Sequence, residues 1–222
     1  MKRAGYREIG EFSSWTKLLR TEQKLRGRLR SRWASRLVAP LLDKALEWTS
    51  IEWRTRLPAQ VVAQAVAQFD DRFDALWLRT VGRFDVTGER TESYLSWRFT
   101  QCPDLNYQVF TLADRVTHDL LGYVVWYADA GAVSISDLLA VDEPTTALLL
   151  AEFSRSVRRE GVSAIRLGCF ASPNFYRLLH AAGFHRRQNR HAVLCRLGGA
   201  VREQTRTGVN WFLTMADSDT DV

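Results

Sequence analysis

The 222-residue sequence is short of several features, and each shortage excludes something. No apolar run reaches the roughly 18 residues that a membrane-spanning helix needs, and the first residues are too polar for a secretory signal, so the expected compartment is the cytoplasm. Only three cysteines occur, Cys102, Cys169 and Cys195, an odd number without Cys-x-x-Cys spacing. This argues against a disulfide framework and a thiolate zinc site, and buried free thiols are the expectation. Of the four histidines, His118 falls in a predicted turn, while His180, His185 and His191 lie in an Arg-rich region without metal-type spacing. Acids are nearly missing from one stretch: between Lys17 and Arg36 eight basic residues face the single acid Glu22. That local +7 leaves −1 for the rest of a chain whose net charge is +6. A basic balance made by one segment is poor support for nucleic-acid binding, which needs its cationic face on the folded body.

What is present suffices for one full core, with 46% apolar residues and eight Trp. The chain reads as three parts: 1–20, a basic helical linker over 21–57, and a domain over 58–222. In the linker, between Thr21 and Trp53, Leu25, Leu29, Trp33 and Leu37 step by four among arginines until Pro40 breaks the pattern. Such a stripe either docks on a neighbouring domain or lies on an anionic membrane surface or nucleic acid. After Pro58 the spacing of Val62, Val66, Phe69, Phe73, Leu76 and Trp77 predicts the first helix of the domain. Gly82 to Gly88 reads as a loop and Thr91 to Phe99 as a second helix. Tyr107–Leu112, Leu121–Ala128 and Ala132–Leu139 then read as an antiparallel meander, the last two joined at Asp129-Ala130-Gly131. Pro144 to Glu160 is a predicted helix stopped by Gly161, Ala164 to Phe170 a strand, Pro173 to Ala182 a helix stopped by Gly183, and Ala192 to Leu197 a strand. The order ααβββαβαβ predicts an α+β fold, with one parallel pair at the centre of a mostly antiparallel sheet and helices on its faces.

This order, with a helix ending in Ala181-Ala182-Gly183-Phe184 before a strand, resembles the GCN5-related N-acetyltransferase (GNAT) fold over roughly residues 58–197. The resemblance implies two central strands that splay apart, acyl-CoA inserted between them, and direct transfer of the acyl group to a small-molecule amine. Ala4-Gly5-Tyr6-Arg7-Glu8-Ile9-Gly10-Glu11 resembles the same turn and closing strand of a preceding unit. The whole chain is similar to the C-terminal part of tandem-GNAT bacterial proteins, which also end in a segment like Trp211-Phe212-Leu213-Thr214-Met215-Ala216-Asp217-Ser218-Asp219. Association with a second GNAT unit follows from that likeness.

Members of that family hold the pyrophosphate on free amides of a Gly-rich loop after the fourth strand. Here the place is taken by Ala140-Val141-Asp142-Glu143-Pro144-Thr145-Thr146, without glycine or a basic residue. Asp142 is a good N-cap before Pro144, so its carboxylate competes with a phosphate for the same donors. Two carboxylates repel the ligand as well, by about 1 kcal/mol per pair at roughly 4 Å even in water. If acetyl-CoA or another acyl-CoA binds, Leu139, Val141, Thr145 and Thr146 are the residues placed to hold it. The family's general-acid position falls on Leu179, with Tyr176 one helical turn earlier as a substitute or a packing residue. Asp137, the single ionisable residue of its strand, reads either as a general base or as a solvent-side residue. Trp97 and Arg98 fall where the family lines its acceptor pocket. Cys169 beside the cleft lacks an adjoining histidine to activate it. Asp217-x-Asp219-x-Asp221 reads as a solvated acidic tail, because the rest of a calcium loop is missing. Two readings stand: a GNAT-like acyltransferase using Asp137 and Tyr176, or a degenerate half that supports a catalytic half structurally or by binding its acceptor.

Overall fold

The structure, a computed structural model, describes residues 7–20, 51–103, 105–195 and 210–218. The Leu/Trp stripe of the basic linker lies outside the described residues, as do Asp219 and Asp221. Strands β1 (Arg7–Leu18), β2 (Val61–Val66), β4 (Gln108–Asp114), β5 (Leu120–Asp129), β6 (Ala132–Ala140), β7 (Ala164–Phe170) and β8 (His185–Cys195) form one sheet in the order β2-β4-β5-β6-β7-β1-β8. The short strand β3 (Val86–Thr87) stands off that path. So does β9 (Trp211–Thr214), which pairs with both β3 and β7. Helices α1 (Ile51–Arg54), α2 (Asp71–Thr80), α3 (Glu92–Leu95), α4 (Glu143–Arg159) and α5 (Pro173–Ala181) complete the α+β fold.

The meander is as expected, and its tight turn has a clear cause. Ala130 and Gly131 both take positive φ (47° and 80°), the conformation that lets a two-residue hairpin follow the twist of its strands. Gly161 and Gly183 end their helices at φ of 88° and 87°, a left-handed position where an added Cβ is strained.

Three expectations need correction. Val62 and Val66 belong to a strand paired with β4 along its whole length, and the helix starts only after Asp70, whose carboxylate accepts from Arg72 N at 3.1 Å. A spacing of four satisfies both a helix and a strand face, and the Val-rich run with a long-range partner settles it as strand. The loop over Gly82–Gly88 contains β3. The last strand of the meander's partner layer begins at His185, well before Ala192.

Strand β1 lies inside the sheet of the 58–222 unit, antiparallel to β7 on one side and β8 on the other. Its end is fastened by a buried cluster: Lys17 Nζ lies 2.9 Å from Glu52 Oε2 and donates to Ser154 Oγ at 3.2 Å, and Arg158 reaches Glu52 at 3.2 Å. Burial pulls the Lys17 ammonium below its ordinary range, against the attraction of Glu52.

One apolar core packs α4 and α5 on the sheet through Leu149, Leu150, Phe153 and Leu179, and another packs α2 and α3 on the opposite face through Phe73, Leu76, Leu95 and Phe99. Between them the central pair opens. β6 and β7 are parallel partners only over Val133–Ile135 and Ile165–Leu167, and beyond that point β7 takes β9 as its neighbour instead.

Candidate functional site

The divergence of β6 and β7 makes a fork, with Asp137 on one prong and Cys169 on the other. An eight-residue strap, Trp211–Ser218, enters it. Its β9 part pairs Cys169 with Thr214 and Phe170 with Leu213 on one side, and lies parallel to β3 through Trp211 and Phe212 on the other. A 3₁₀ turn over Met215–Asp217 follows, closed by a capping box in which Thr214 N donates to Asp217 Oδ2 at 2.9 Å. The aromatic end is anchored by ring contacts: the Phe212 ring stacks on Phe84 at 5.0 Å and meets Phe175 edge-on at 5.1 Å, and Trp211 meets Phe170 edge-on at 6.1 Å. Each such pair adds about 0.5–1.5 kcal/mol beyond its buried area.

At the fork itself the polar groups converge. The Thr214 hydroxyl donates to Asp137 Oδ1 at 2.7 Å. Asp137, with no solvent exposure, also accepts from Tyr123 Oη at 2.6 Å and faces Arg90 Nε at 2.8 Å. Arg90 is 1% exposed and turns its two terminal nitrogens onto Asp217 at 2.9 and 2.6 Å, a two-point clasp of one carboxylate. Tyr94 Oη donates to Ala216 O at 2.9 Å, and Arg98 Nη2 to Ser218 O at 2.9 Å. Burial opposes the charge of Arg90, but Asp137 and Asp217 outweigh it and hold the guanidinium well above its ordinary pKa. Burial first, then the Asp137 charge, pushes the Tyr123 phenol well up, so it stays a donor.

The residues expected at the site fall into three groups. Asp137 and Arg98 both hold the strap. Trp97 is 60% exposed, leaning on Tyr94 at 5.7 Å, and shares a π-helical turn (Ser96–Thr100) with Arg98. Tyr176 stacks on Trp15 at 5.4 Å, and its hydroxyl accepts from Ala171 N at 3.0 Å; burial raises its pKa.

Beside the fork, the segment expected to cradle a cofactor bonds to itself. Asp142 Oδ1 accepts from Thr145 N at 2.7 Å, and hydrogen bonding from Thr145, its side chain first and its backbone N–H after, holds the carboxyl below the usual range. Thr146 Oγ1 donates to Asp142 O at 2.7 Å, and Val141 N donates to Leu121 O at 2.9 Å. Leu139 is buried and paired opposite Tyr123, yet Leu139 and Thr146 still line a cleft of about 490 Å³ with Arg83, Phe84, Phe175 and Trp211. The amides of Val141 and Thr145 are thus committed within the chain.

One expectation is corrected here. Asp217 is a clasped anchor within the fork, not a solvated tail residue, because Arg90 needs a second carboxylate that water cannot replace at 1% exposure. Cys169 is the buried free thiol that was expected: it is fully enclosed and burial pushes its thiol far up, which removes it as a nucleophile. Among the described residues no His/Cys/Asp/Glu group is arranged to hold a metal, and no helix is long and apolar enough to cross a membrane. Arg90, Tyr94, Tyr123 and Thr214 were not legible as site residues; the one signal was the Trp-x-Leu-Thr-x-x-Asp segment itself.

No family model matches the sequence, and no curated protein matches it. Solved structures do. A conserved protein of unknown function from Enterococcus faecalis, described as a probable N-acyltransferase, aligns over 87% of this chain and 41% of its own, at TM-score 0.55 and 15% identity. A GCN5-related N-acetyltransferase from Anabaena variabilis aligns over 87% of this chain and 42% of its own, at TM-score 0.52 and 10% identity. The chain therefore spans about two-fifths of the length of either.

Proposed function

From the GCN5-related N-acetyltransferase fold that the chain has, and from a fork already filled, we propose that it is a non-transferring GNAT module which supports an acyltransferase half or helps bind its amine acceptor. The observation that carries this reading is Thr214 seated between Asp137 and Cys169, where the family would place the acyl group. In this reading the loop after β6 is a degenerate phosphate cradle, its donors taken by Asp142. Asp137 then serves as an anchor for the strap, since its fully buried carboxylate is engaged by Tyr123, Thr214 and Arg90.

The reading as an acyl-CoA-dependent N-acyltransferase, with Asp137 as base and Tyr176 as acid, draws support from the 490 Å³ cleft that remains beside the fork. The two part on one titration. Acetyl-CoA added to the full chain should leave the unfolding midpoint unchanged, whereas a ligand at 100 times its dissociation constant stabilises by about 2.7 kcal/mol. A saturable rise would reject the non-transferring reading, and thiol release with an amine acceptor would establish transfer. Under the proposal, activity returns only when a second GNAT unit is supplied.

A further inference from the structure

The groups that clasp the strap belong to the body of the domain and touch one another as well as the strap. Arg90 precedes α3, Tyr123 lies on β5 and Asp137 on β6, and the contacts Arg90–Asp137 (2.8 Å) and Tyr123–Asp137 (2.6 Å) involve no strap atom. What the strap adds is a carboxylate for the two terminal nitrogens of Arg90 and a hydroxyl donor for the second oxygen of Asp137. Those two strap groups are neighbours, since Arg90 Nη2 touches both Asp217 Oδ2 and Thr214 Oγ1, at 2.6 and 3.2 Å. By contrast the strap's ladder is short, two residue pairs with β7 and two with β3. Gly88 is part of the same design: a Cβ there would stand 1.8 Å from Asp217 Oδ1 and 2.6 Å from Arg90 Nη1, so its absence leaves room for the carboxylate.

We infer that the fork is a ligand site held shut by the chain itself, and that the ligand it reads presents a carboxylate to Arg90 and, beside it, a hydroxyl or ammonium donor to Asp137. Trp211–Ser218 is its ligand in cis. The chemistry is shared by an acidic peptide of Thr-x-x-Asp pattern and by a free hydroxy- or amino acid. A bidentate guanidinium–carboxylate contact discriminates where an amide would not, because the planar fork matches two oxygens and both members are charged. The inference deepens the acceptor-binding side of the function proposed above, and it survives or fails independently of acetyl-CoA binding.

The test uses the full chain carrying Asp217→Ala, which empties the clasp and leaves every body group in place. Acetate, L-threonine and an acetylated peptide of residues 211–218 are titrated separately while thermal unfolding is followed, with acetamide as the neutral control. A concentration-dependent rise of the midpoint with acetate and absent with acetamide is expected. A further gain with L-threonine over acetate identifies the free acid as the better source, and a larger gain with the peptide identifies the acidic segment. The peptide with Asn in place of its Asp should bind roughly 10- to 100-fold more weakly. Failure of all three carboxylates to stabilise the folded variant, or equal effects of acetate and acetamide, overturns the inference. Asp217→Asn, which keeps the side-chain volume, is the second variant: it should bind the labelled peptide at least about tenfold tighter than the unaltered chain does, and equal binding overturns the inference too. Acetyl-CoA is titrated in parallel. Its binding would reject the non-transferring reading without touching the carboxylate result.

Discussion

Replacing Asp137 by Asn should weaken the protein far more than an ordinary ion-pair deletion. The change is isosteric, so no cavity contributes. The carboxylate has one oxygen facing Arg90 Nε (2.8 Å) and Tyr123 Oη (2.6 Å) and the other facing Thr214 Oγ1 (2.7 Å). An amide keeps one acceptor. If its oxygen stays toward Arg90, its NH2 meets a Thr214 hydroxyl that already accepts from Arg90 Nη2 and Ala216 N, both at 3.2 Å. If it flips, two donors face Arg90 head-on. Either way Arg90, at 1% exposure, keeps only Asp217 as a counter-charge. Removing one partner of a buried pair costs roughly 3–5 kcal/mol, and the surviving clasp points to the lower end, about 3 kcal/mol. At about 2–4 °C per kcal/mol for a chain of this size, the midpoint should fall by roughly 6–12 °C. Thermal unfolding followed by tryptophan fluorescence measures it. Asp129→Asn is the reference, because its pair with Arg166 is exposed (44% and 48%) and should be worth less than about 1 kcal/mol. An Asp137→Asn loss no larger than that reference would refute the claim that the buried network holds the strap. A general base would behave differently, with transfer lost and stability kept.

Two further changes probe the same region. Gly88→Ala places a methyl group 1.8 Å from Asp217 Oδ1, and since that oxygen is clasped it should cost about 1–3 kcal/mol and speed hydrogen exchange at Leu213 and Ala216; unchanged exchange would show that the strap adjusts freely. Asp142→Ala removes the cap from Thr145 N and should cost about 1 kcal/mol at neutral pH. Because hydrogen bonding from Thr145, side chain first and backbone N–H after, lowers the folded pKa of Asp142, its stabilisation is complete above the unfolded value, about 3.9, and is lost as pH falls through the folded one. The gap between Asp142→Ala and the parent chain in urea midpoint should therefore close in strong acid, and a gap that persists would contradict the capping account.

Local chemistry carried much of the architecture. The Asp129-Ala130-Gly131 turn, the Asp142-x-Pro144 helix start and the stops at Gly161 and Gly183 each depend on conformations or hydrogen bonds within a few residues, so their signatures lie in contiguous sequence. The expected parallel pair in the middle of the sheet followed from strand, helix, strand in succession. Val62 and Val66 were misread for a related reason: a spacing of four suits either period, and only the partner strand β4 settles it.

The fork was a different matter. That Asp137 is ionisable and alone on its strand was visible in the sequence, but its surroundings are not a local property. Arg90, 47 positions away, and Thr214 and Asp217, 77 and 80 positions away, meet it only because β6 and β7 diverge and the strap enters between them. Sequence alone determined that the helix after Asp142 caps itself, because a cap is made by a side chain and the amides that follow it. Tertiary structure alone decided that a charged residue amid apolar neighbours acquires a buried counter-charge and a second carboxylate, because electrostatic pairing is set by distance in space and by the exclusion of water.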